Sequence, residues 1–172
     1  HQSTGEYDLA EQYFRNAIKL RPNFSRARNN FAAFLYMQNR YDEAKAQLLV
    51  VTSDALYSAR PQAFVNLGMC QLKLDNKDMA KDSFKKALLM DPDNDLALVE
   101  LGYIAYDQGE INEAWLYFEA QRSSVTRQSS RALWLGIMVA RKQGNLDSEA
   151  SFTLMLKSLY PDSMEYQVYS RD

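Results

Sequence analysis

Residues 64–84 have the sequence FVNLGMCQLKLDNKDMAKDSF, in which a Leu67-Gly68 pair is followed by a small and then a large apolar residue. The same pair returns at 34-residue intervals, as Leu101-Gly102 and Leu135-Gly136. Two helices approach closely only where one presents glycine or alanine, and a large side chain fills the groove beside that contact. This stretch therefore predicts a helical hairpin that recurs along the chain.

The second helix of each hairpin carries a repeated pattern of its own. A small residue is followed four positions later by a large apolar one, in Ala10/Phe14, Ala44/Leu48, Ala80/Phe84, Ala114/Phe118 and Ala150/Leu154. A period near 34 residues is that of the tetratricopeptide repeat (TPR). We predict an all-α fold, a right-handed superhelix of TPR helical hairpins, or α-solenoid. Two spacings of 36 residues predict insertions within 53–60 and 141–148.

Helix boundaries are predicted from periodicity and end signals. Ser25, Asp95 and Ser129 are candidate N-caps, Pro61 suits a first turn, and Asp162 with Glu165 resembles a capping box. The predicted helices are 7–20, 25–38, 41–51, 61–74, 77–90, 95–108, 111–121, 129–143 and 147–159, with a short last helix from about residue 162.

We expect one TPR domain over residues 1–172. Its parts are the second half of a truncated repeat (1–24), the repeats 25–58, 61–94, 95–128 and 129–161, and a C-terminal capping helix (162–172). Since the first helix has no partner helix of its own, its face around Ala10, Phe14 and Ala17 is expected to be partly open.

Composition argues against catalysis, cofactors and nucleic acid. The net charge is −2 and no basic stripe is present, so nucleic acid is not expected as a partner. His1 is the only histidine and Cys70 the only cysteine, which argues against Ser-His-Asp, Cys-His and His-rich zinc sites. Cys70 lies in an apolar helix and is expected to be a buried, inert thiol. We predict no enzyme activity, no cofactor and no metal.

A partner-binding groove is predicted on the first helices of the repeats, which line the concave face in TPR proteins. Methionine and tyrosine there suit an apolar peptide or an amphipathic helix. The alternative is that the superhelix itself, with its last short helix, covers these residues. The candidate binding residues are Asn29, Tyr36, Met37, Met69, Leu72, Tyr103, Tyr106, Leu133 and Ile137.

Three segments resemble one particular family. They are residues 29–44 (NNFAAFLYMQNRYDEA), residues 64–68 (FVNLG) preceded by an extended loop with Leu56-Tyr57, and the tail 156–167 (LKSLYPDSMEYQ). They are similar to the type IV pilus biogenesis and stability proteins, the pilotins of the PilF/PilW family. Generic TPR repeats do not require such a tail.

This resemblance implies a non-catalytic periplasmic lipoprotein on the inner leaflet of the Gram-negative outer membrane. Such proteins help the pilus secretin reach that membrane and multimerise, and so support the fimbrium and twitching motility. The resemblance implies that the membrane is contacted only through an N-terminal lipid, which lies outside residues 1–172, and that this fragment is soluble. It also implies that the early repeats contact the secretin. The alternatives are a generic TPR peptide-binding co-chaperone or assembly adaptor, and an enzyme whose catalytic domain precedes His1.

Overall fold

The computed structural model describes residues 2–171, and the side chains of residues 4–171. Over these residues it contains ten α-helices and no strand, which confirms the all-α class. The helices are α1 (Gln2–Leu20), α2 (Ser25–Met37), α3 (Tyr41–Thr52), α4 (Arg60–Lys73), α5 (Lys77–Met90), α6 (Asp95–Asp107), α7 (Ile111–Ser124), α8 (Ser130–Gln143), α9 (Leu146–Leu159) and α10 (Met164–Arg171).

The described residues form two compact units, one ending at Met90 and the other beginning at Asp91. In the first unit, α2 pairs with α3 and α4 pairs with α5, while α1 packs against α2 and α3 against α4. In the second, α6 pairs with α7 and α8 with α9, and α10 packs against α8. The single-domain organisation and the repeat boundaries given above stay a prediction.

Every hairpin turns through a residue in the left-handed region. These residues are Asn39, Asp75, Gly109 and Gly144, with φ of 61°, 60°, 78° and 69°. The amide just after each of them donates to a carbonyl five residues back, for example Arg40 to Leu35 at 3.0 Å and Glu110 to Ala105 at 2.9 Å. This is the Schellman ending, which satisfies carbonyls left free at a helix C-terminus. Its short turns return each second helix antiparallel to the first.

The repeated small-and-large pattern forms the core of both units. The pairs at Ala44, Ala80 and Ala114 are at most 1% exposed, together with their large partners Leu48, Phe84 and Phe118. Burying a large apolar side chain contributes roughly 1.5–3 kcal/mol. The pattern therefore identifies the main packing contacts of three hairpins.

The predicted register of the last hairpin is wrong. Ala150 is exposed and Leu154 is 65% exposed, whereas Ser148 is half-buried and Phe152 is 3% exposed. Ser148 and Phe152 lie 34 residues after Ala114 and Phe118, so serine takes the small position. No insertion is present within 141–148, because α8 ends at Gln143 and α9 begins at Leu146.

The predicted insertion between α3 and α4 is confirmed as a loop over residues 53–59. Asp54 organises this loop: one carboxylate oxygen accepts from the Ser25 hydroxyl at 2.6 Å and the other from the Leu56 amide at 3.1 Å. Leu56 is 95% exposed at its tip. Ser25 is therefore bound to this loop and is not the N-cap of α2, whose N-cap Phe24 has no side-chain bond.

Two further cap predictions also need correction. Asn94, and not Asp95, caps α6, accepting from the Ala97 amide at 3.0 Å. At α10 the hydroxyl of Ser163 accepts from the Tyr166 amide at 3.1 Å, in place of the predicted capping box. Ser129 caps α8 as predicted, and Pro61 lies in the first turn of α4.

Helix α1 is attached to the first unit by aromatic and ionic contacts. Phe14 stacks on Phe31 at 5.5 Å between ring centroids. The Glu11 carboxylate accepts from Arg40 at 2.7 Å and from Arg15 at 2.7 Å, and these bonds lower its pKa to about 2. Ala10 and Ala17 stay half-buried, so the inner face of α1 is partly open, as predicted.

Candidate partner-binding site

A hollow in the first unit brings together three of the predicted binding residues. It has a volume of about 180 Å³ and lies on the first helices of the two hairpins, α2 and α4. Met37 is 80% exposed, and Tyr36 and Met69 are half-buried. Its lining is almost wholly apolar, from Ala33, Tyr36, Met37, Leu48, Met69 and Cys70. We call it the α2–α4 hollow.

Amide side chains lie beside this hollow. Asn66, which lines it, donates from Nδ2 to Asn29 Oδ1 at 3.4 Å and accepts at Oδ1 from Gln62 Nε2 at 3.1 Å. Asn29 is thus placed at the hollow by its contact with α4. A mostly apolar depression with a few polar groups is the usual composition of a ligand-binding site.

An aromatic pair lies next to the same hollow. The Tyr36 and Tyr41 rings meet edge to face at 5.2 Å, and the ammonium of Lys73 lies 6.0 Å from the Tyr41 ring centroid. Leu72, the remaining predicted residue on α4, is half-buried and is not part of the lining. Methionine adapts its shape to varied apolar partners, and tyrosine provides a large contact area at low entropic cost.

Cys70 is fully buried, as predicted. Burial raises the pKa of its thiol to about 11, although the nearby charge of Lys45 acts in the opposite direction. Since the thiolate is the nucleophilic form, this thiol is unreactive at neutral pH. Its part in the hollow is that of a small apolar side chain.

In the second unit, Tyr103 belongs to an internal network. Its hydroxyl donates to the backbone carbonyl of Arg131 at 2.6 Å, and the Arg131 guanidinium lies 4.0 Å over its ring. Arg131 also binds both carboxylate oxygens of Glu100, at 2.9 and 3.0 Å, and Glu100 is 4% exposed. Burial raises the pKa of Tyr103. Tyr103 therefore joins α6 to α8.

The prediction that Leu133 and Ile137 line an open groove is wrong. Both are fully buried in the core cluster of the second unit. Tyr166 and Tyr169 of α10 pack against this cluster, and so does the half-buried Tyr106. Internal covering, which the sequence left open as the alternative, is what the structure shows for this face of α8.

Arg141 strengthens the attachment of α10. Its guanidinium lies 5.2 Å from the Tyr169 ring and 5.6 Å from the Trp134 ring, and its Nε binds Glu149 at 2.7 Å. Cation–π contacts of this kind contribute about 0.5–1 kcal/mol each at exposed sites. The C-terminal helix is thus held by aromatic packing and by a shared cation.

Sequence reasoning missed the Glu100–Arg131 pair, although a signal for it exists. Glu100 is the one charged residue in the stretch 96–106 (LALVELGYIAY), and a carboxylate surrounded by apolar residues requires a cation. The partner's position, 31 residues further on, follows no short-range rule.

The described part of the chain contains no group of three or more histidine, cysteine, aspartate or glutamate residues placed to hold a metal ion. Within residues 2–171, no helix has both the length and the apolar content that crossing a bilayer requires.

Comparison with known proteins identifies the family. Tetratricopeptide-repeat families match residues 3–64 and 61–94. The type IV pilus assembly protein PilF of Pseudomonas aeruginosa is 35% identical over 99% of this chain and 68% of its own length. The chain belongs to the PilF/PilW family of type IV pilus TPR proteins.

Solved structures of the PilF/PilW family agree with this assignment. A structure from the functional characterisation of Pseudomonas aeruginosa PilF matches with a TM-score of 0.89 and 34% identity, covering 99% of this chain and 76% of that one. PilW, a widely conserved type IV pilus biogenesis factor, matches with a TM-score of 0.81 and 27% identity, over 98% and 77% of the two chains. The predicted family and TPR fold are confirmed.

Membership of the PilF/PilW family determines the general class of function. TPR proteins are typically non-catalytic scaffolds, and their fold implies protein–protein interaction. Similarity to PilF indicates a pilus-associated protein of the cell envelope.

Proposed function

We propose that this protein is a non-catalytic pilotin, which assists outer-membrane localisation and multimer assembly of the type IV pilus secretin by binding it. The main support is similarity to PilF at 35% identity over 99% of the chain. We further propose that the full-length protein is held on the periplasmic face of the outer membrane by an N-terminal lipid.

The α2–α4 hollow is the surface that we propose for the partner. In the second unit, Leu133 and Ile137 are buried and Tyr103 is engaged internally, whereas Met37 is 80% exposed in the first. Tyr36 and Met69 line the same hollow. Asn29 and Leu72 lie on the same two helices outside its lining, and we propose that they extend the surface. Its occupant would be an apolar peptide segment or one face of an amphipathic helix, with backbone groups bound by the asparagines.

The test uses the full-length protein in cells that lack their own copy. Met37→Glu combined with Met69→Glu introduces two charges into the α2–α4 hollow, and a desolvated, unpaired charge opposes apolar binding. We expect fewer secretin multimers in the outer-membrane fraction and loss of secretin in a pull-down. Leu116→Glu is the matched control, because Leu116 lies on α7 and is 68% exposed.

Wild-type secretin multimers in the double variant would contradict the proposed surface. Secretin that localises and multimerises normally without the protein would contradict the pilotin function itself, and would favour the generic TPR adaptor. Labelling of the full-length protein with a radioactive fatty acid tests the lipid anchor separately.

A further inference from the structure

A second hollow, of about 330 Å³, lies in the second unit between the loop that follows α7 and the C-terminal half of α9. The loop runs from residue 125 to 129 and joins α7 to α8. We call this the α7–α9 hollow. Its lining includes Arg122, Arg127, Gln128, Phe152, Met155 and Leu159. None of these is among the residues predicted to bind a partner.

Gln128 has an unusual environment in this hollow. Its side chain is buried, with the residue 4% exposed, and neither Nε2 nor Oε1 has a hydrogen-bond partner within the described residues. Buried carboxamides are nearly always paired, because leaving them unpaired opposes folding. A carboxamide offers a donor beside an acceptor, which is the complement of a peptide group.

Tyr160 fixes the loop in place around this carboxamide. Its hydroxyl donates to the backbone carbonyl of Gln128 at 2.5 Å, and the guanidinium of Arg127 lies 5.5 Å from the centroid of its ring. Arg127 is exposed and, within residues 2–171, has no carboxylate partner. The loop therefore presents a positioned cation next to the unpaired carboxamide.

The remaining lining supplies apolar surface and a second cation. Met155 and Leu159, one helical turn apart on α9, are 38% and 40% exposed. Arg122 lies 5.6 Å over the ring of Phe152, and it binds Glu119 at 3.2 Å. Arg122 therefore already has a carboxylate partner, whereas Arg127 has none among the described residues.

We propose that the α7–α9 hollow binds a peptide segment in which a carboxylate lies next to an apolar side chain. Arg127 pairs with the carboxylate, and Met155 and Leu159 contact the apolar side chain. The carboxamide of Gln128, whose Nε2 and Oε1 are enclosed in the unliganded structure, turns towards the ligand and pairs with a peptide group. The carboxylate belongs either to a C-terminus or to an aspartate or glutamate. This site does not rest on the proposed function, since it involves neither the secretin nor the α2–α4 hollow.

Three peptides test this proposal by NMR titration of the ¹⁵N-labelled chain, observing the Gln128 side-chain amide. They are acetyl-Ala-Ala-Leu-Leu with a free carboxylate, acetyl-Ala-Asp-Leu-Leu-amide, and uncharged acetyl-Ala-Ala-Leu-Leu-amide. We expect at least one carboxylate peptide to bind about tenfold more tightly than the uncharged one, because charge-assisted hydrogen bonds have roughly this effect. The carboxylate peptide that binds more tightly shows whether the site prefers a C-terminal carboxylate or an acidic side chain.

Two variants separate ligand binding from structure. Gln128→Leu removes the unpaired carboxamide, so we expect an equal or higher Tm together with about tenfold weaker peptide binding. Arg127→Gln should weaken binding by a similar factor and remains informative if Gln128→Leu does not fold. Arg171→Gln is the control for charge, because Arg171 is exposed on α10 and does not line the hollow.

The proposal is overturned if no peptide shifts the Gln128 amide at millimolar concentration, or if charged and uncharged peptides bind alike. It is also overturned if the Arg127→Gln variant binds as the wild type does. A higher Tm of Gln128→Leu with unchanged peptide affinity would show that the carboxamide plays no part in binding.

Discussion

Replacing Gly136 by alanine is expected to destabilise the second unit. A Cβ atom at this position would lie 2.5 Å from Cζ and 2.8 Å from Cε2 of Phe118. Carbon atoms pack at about 3.5–4.0 Å, so the ring must move by about 1 Å. Phe118 is fully buried against Trp115 and Phe152, at centroid distances of 5.5 and 5.1 Å, and has little room to move.

The expected change in the free energy of unfolding follows from two opposing effects. Overpacking a core costs about 1–3 kcal/mol, whereas alanine in place of glycine inside a helix stabilises by up to about 1 kcal/mol. For Gly136→Ala we expect a net loss of about 1–2 kcal/mol, or on the order of 5 °C in Tm. Gly102→Ala should be milder, because its Cβ meets the end of the Leu135 side chain, with Cδ2 at 2.5 Å but Cγ at 3.6 Å.

The two tryptophans make the assay specific for one unit. Trp115 and Trp134 are the only tryptophans, and both lie in the second unit. Urea unfolding followed by tryptophan fluorescence should show that Gly136→Ala lowers the stability of the second unit. Far-UV circular dichroism reports the unfolding of both units. Gly5→Ala in the first unit, followed by circular dichroism, is the control for helix propensity alone, because its Cβ meets no atom within 4 Å. If Gly136→Ala loses no fluorescence-detected stability relative to the wild type, the close contact with Phe118 does not constrain this packing.

Three further variants probe the ionic and aromatic contacts. Glu11→Gln should destabilise the first unit by about 1 kcal/mol at pH 7. Because Arg40 lowers the folded-state pKa of Glu11 to about 2 from an ordinary value of 4.5, this contribution is complete above pH 4.5 and is lost as the pH falls towards 2. Urea unfolding followed by circular dichroism between pH 2 and 7 measures the difference in stability between the wild type and this variant. A difference that does not shrink as the pH falls would contradict the prediction. Arg131→Ala leaves the buried Glu100 unpaired and should cost about 3 kcal/mol in urea unfolding, whereas a loss below about 1 kcal/mol would show that water reaches the carboxylate. Tyr169→Ala should lower the fluorescence-detected stability of the second unit by about 1–2 kcal/mol, and an unchanged value would show that α10 does not stabilise the core.

The helices could be predicted from the sequence because their signals are local. The Leu-Gly pairs and the small residues at Ala44, Ala80 and Ala114 mark close contacts that recur with the repeat. The alanine pattern places the last hairpin two residues late, because a serine, Ser148, fills the small position there. Ala150 and Leu154 reproduce the spacing of the pattern by chance, on a face that is exposed.

Cap predictions failed where two candidates compete or a distant partner intervenes. Asn94 and Asp95 are adjacent and both are good caps, so their order alone does not decide between them. Ser25 bonds instead to Asp54, which lies 29 residues further on. Such a contact depends on where the loop after α3 folds back.

The candidate site could be predicted only in the first unit. Tyr36, Met37 and Met69 lie together because α2 and α4, the first helices of adjacent hairpins, pack side by side. Ile137 occupies the position equivalent to Met69, two 34-residue periods further on, but α10 packs against α8, and nothing in the repeat pattern specifies how a helix outside the repeats will dock. Leu133 is equivalent to Val65, which is also fully buried.

Because α10 follows α9 after a four-residue connection, it acts as a ligand tethered to the face of α8. A short tether keeps such a ligand at an effective concentration in the millimolar range. A peptide that competes for the face of α8 therefore has to bind well enough to displace it. The chain itself sets an affinity threshold at this face, while the hollow on α2 and α4 has no tethered competitor among the described residues.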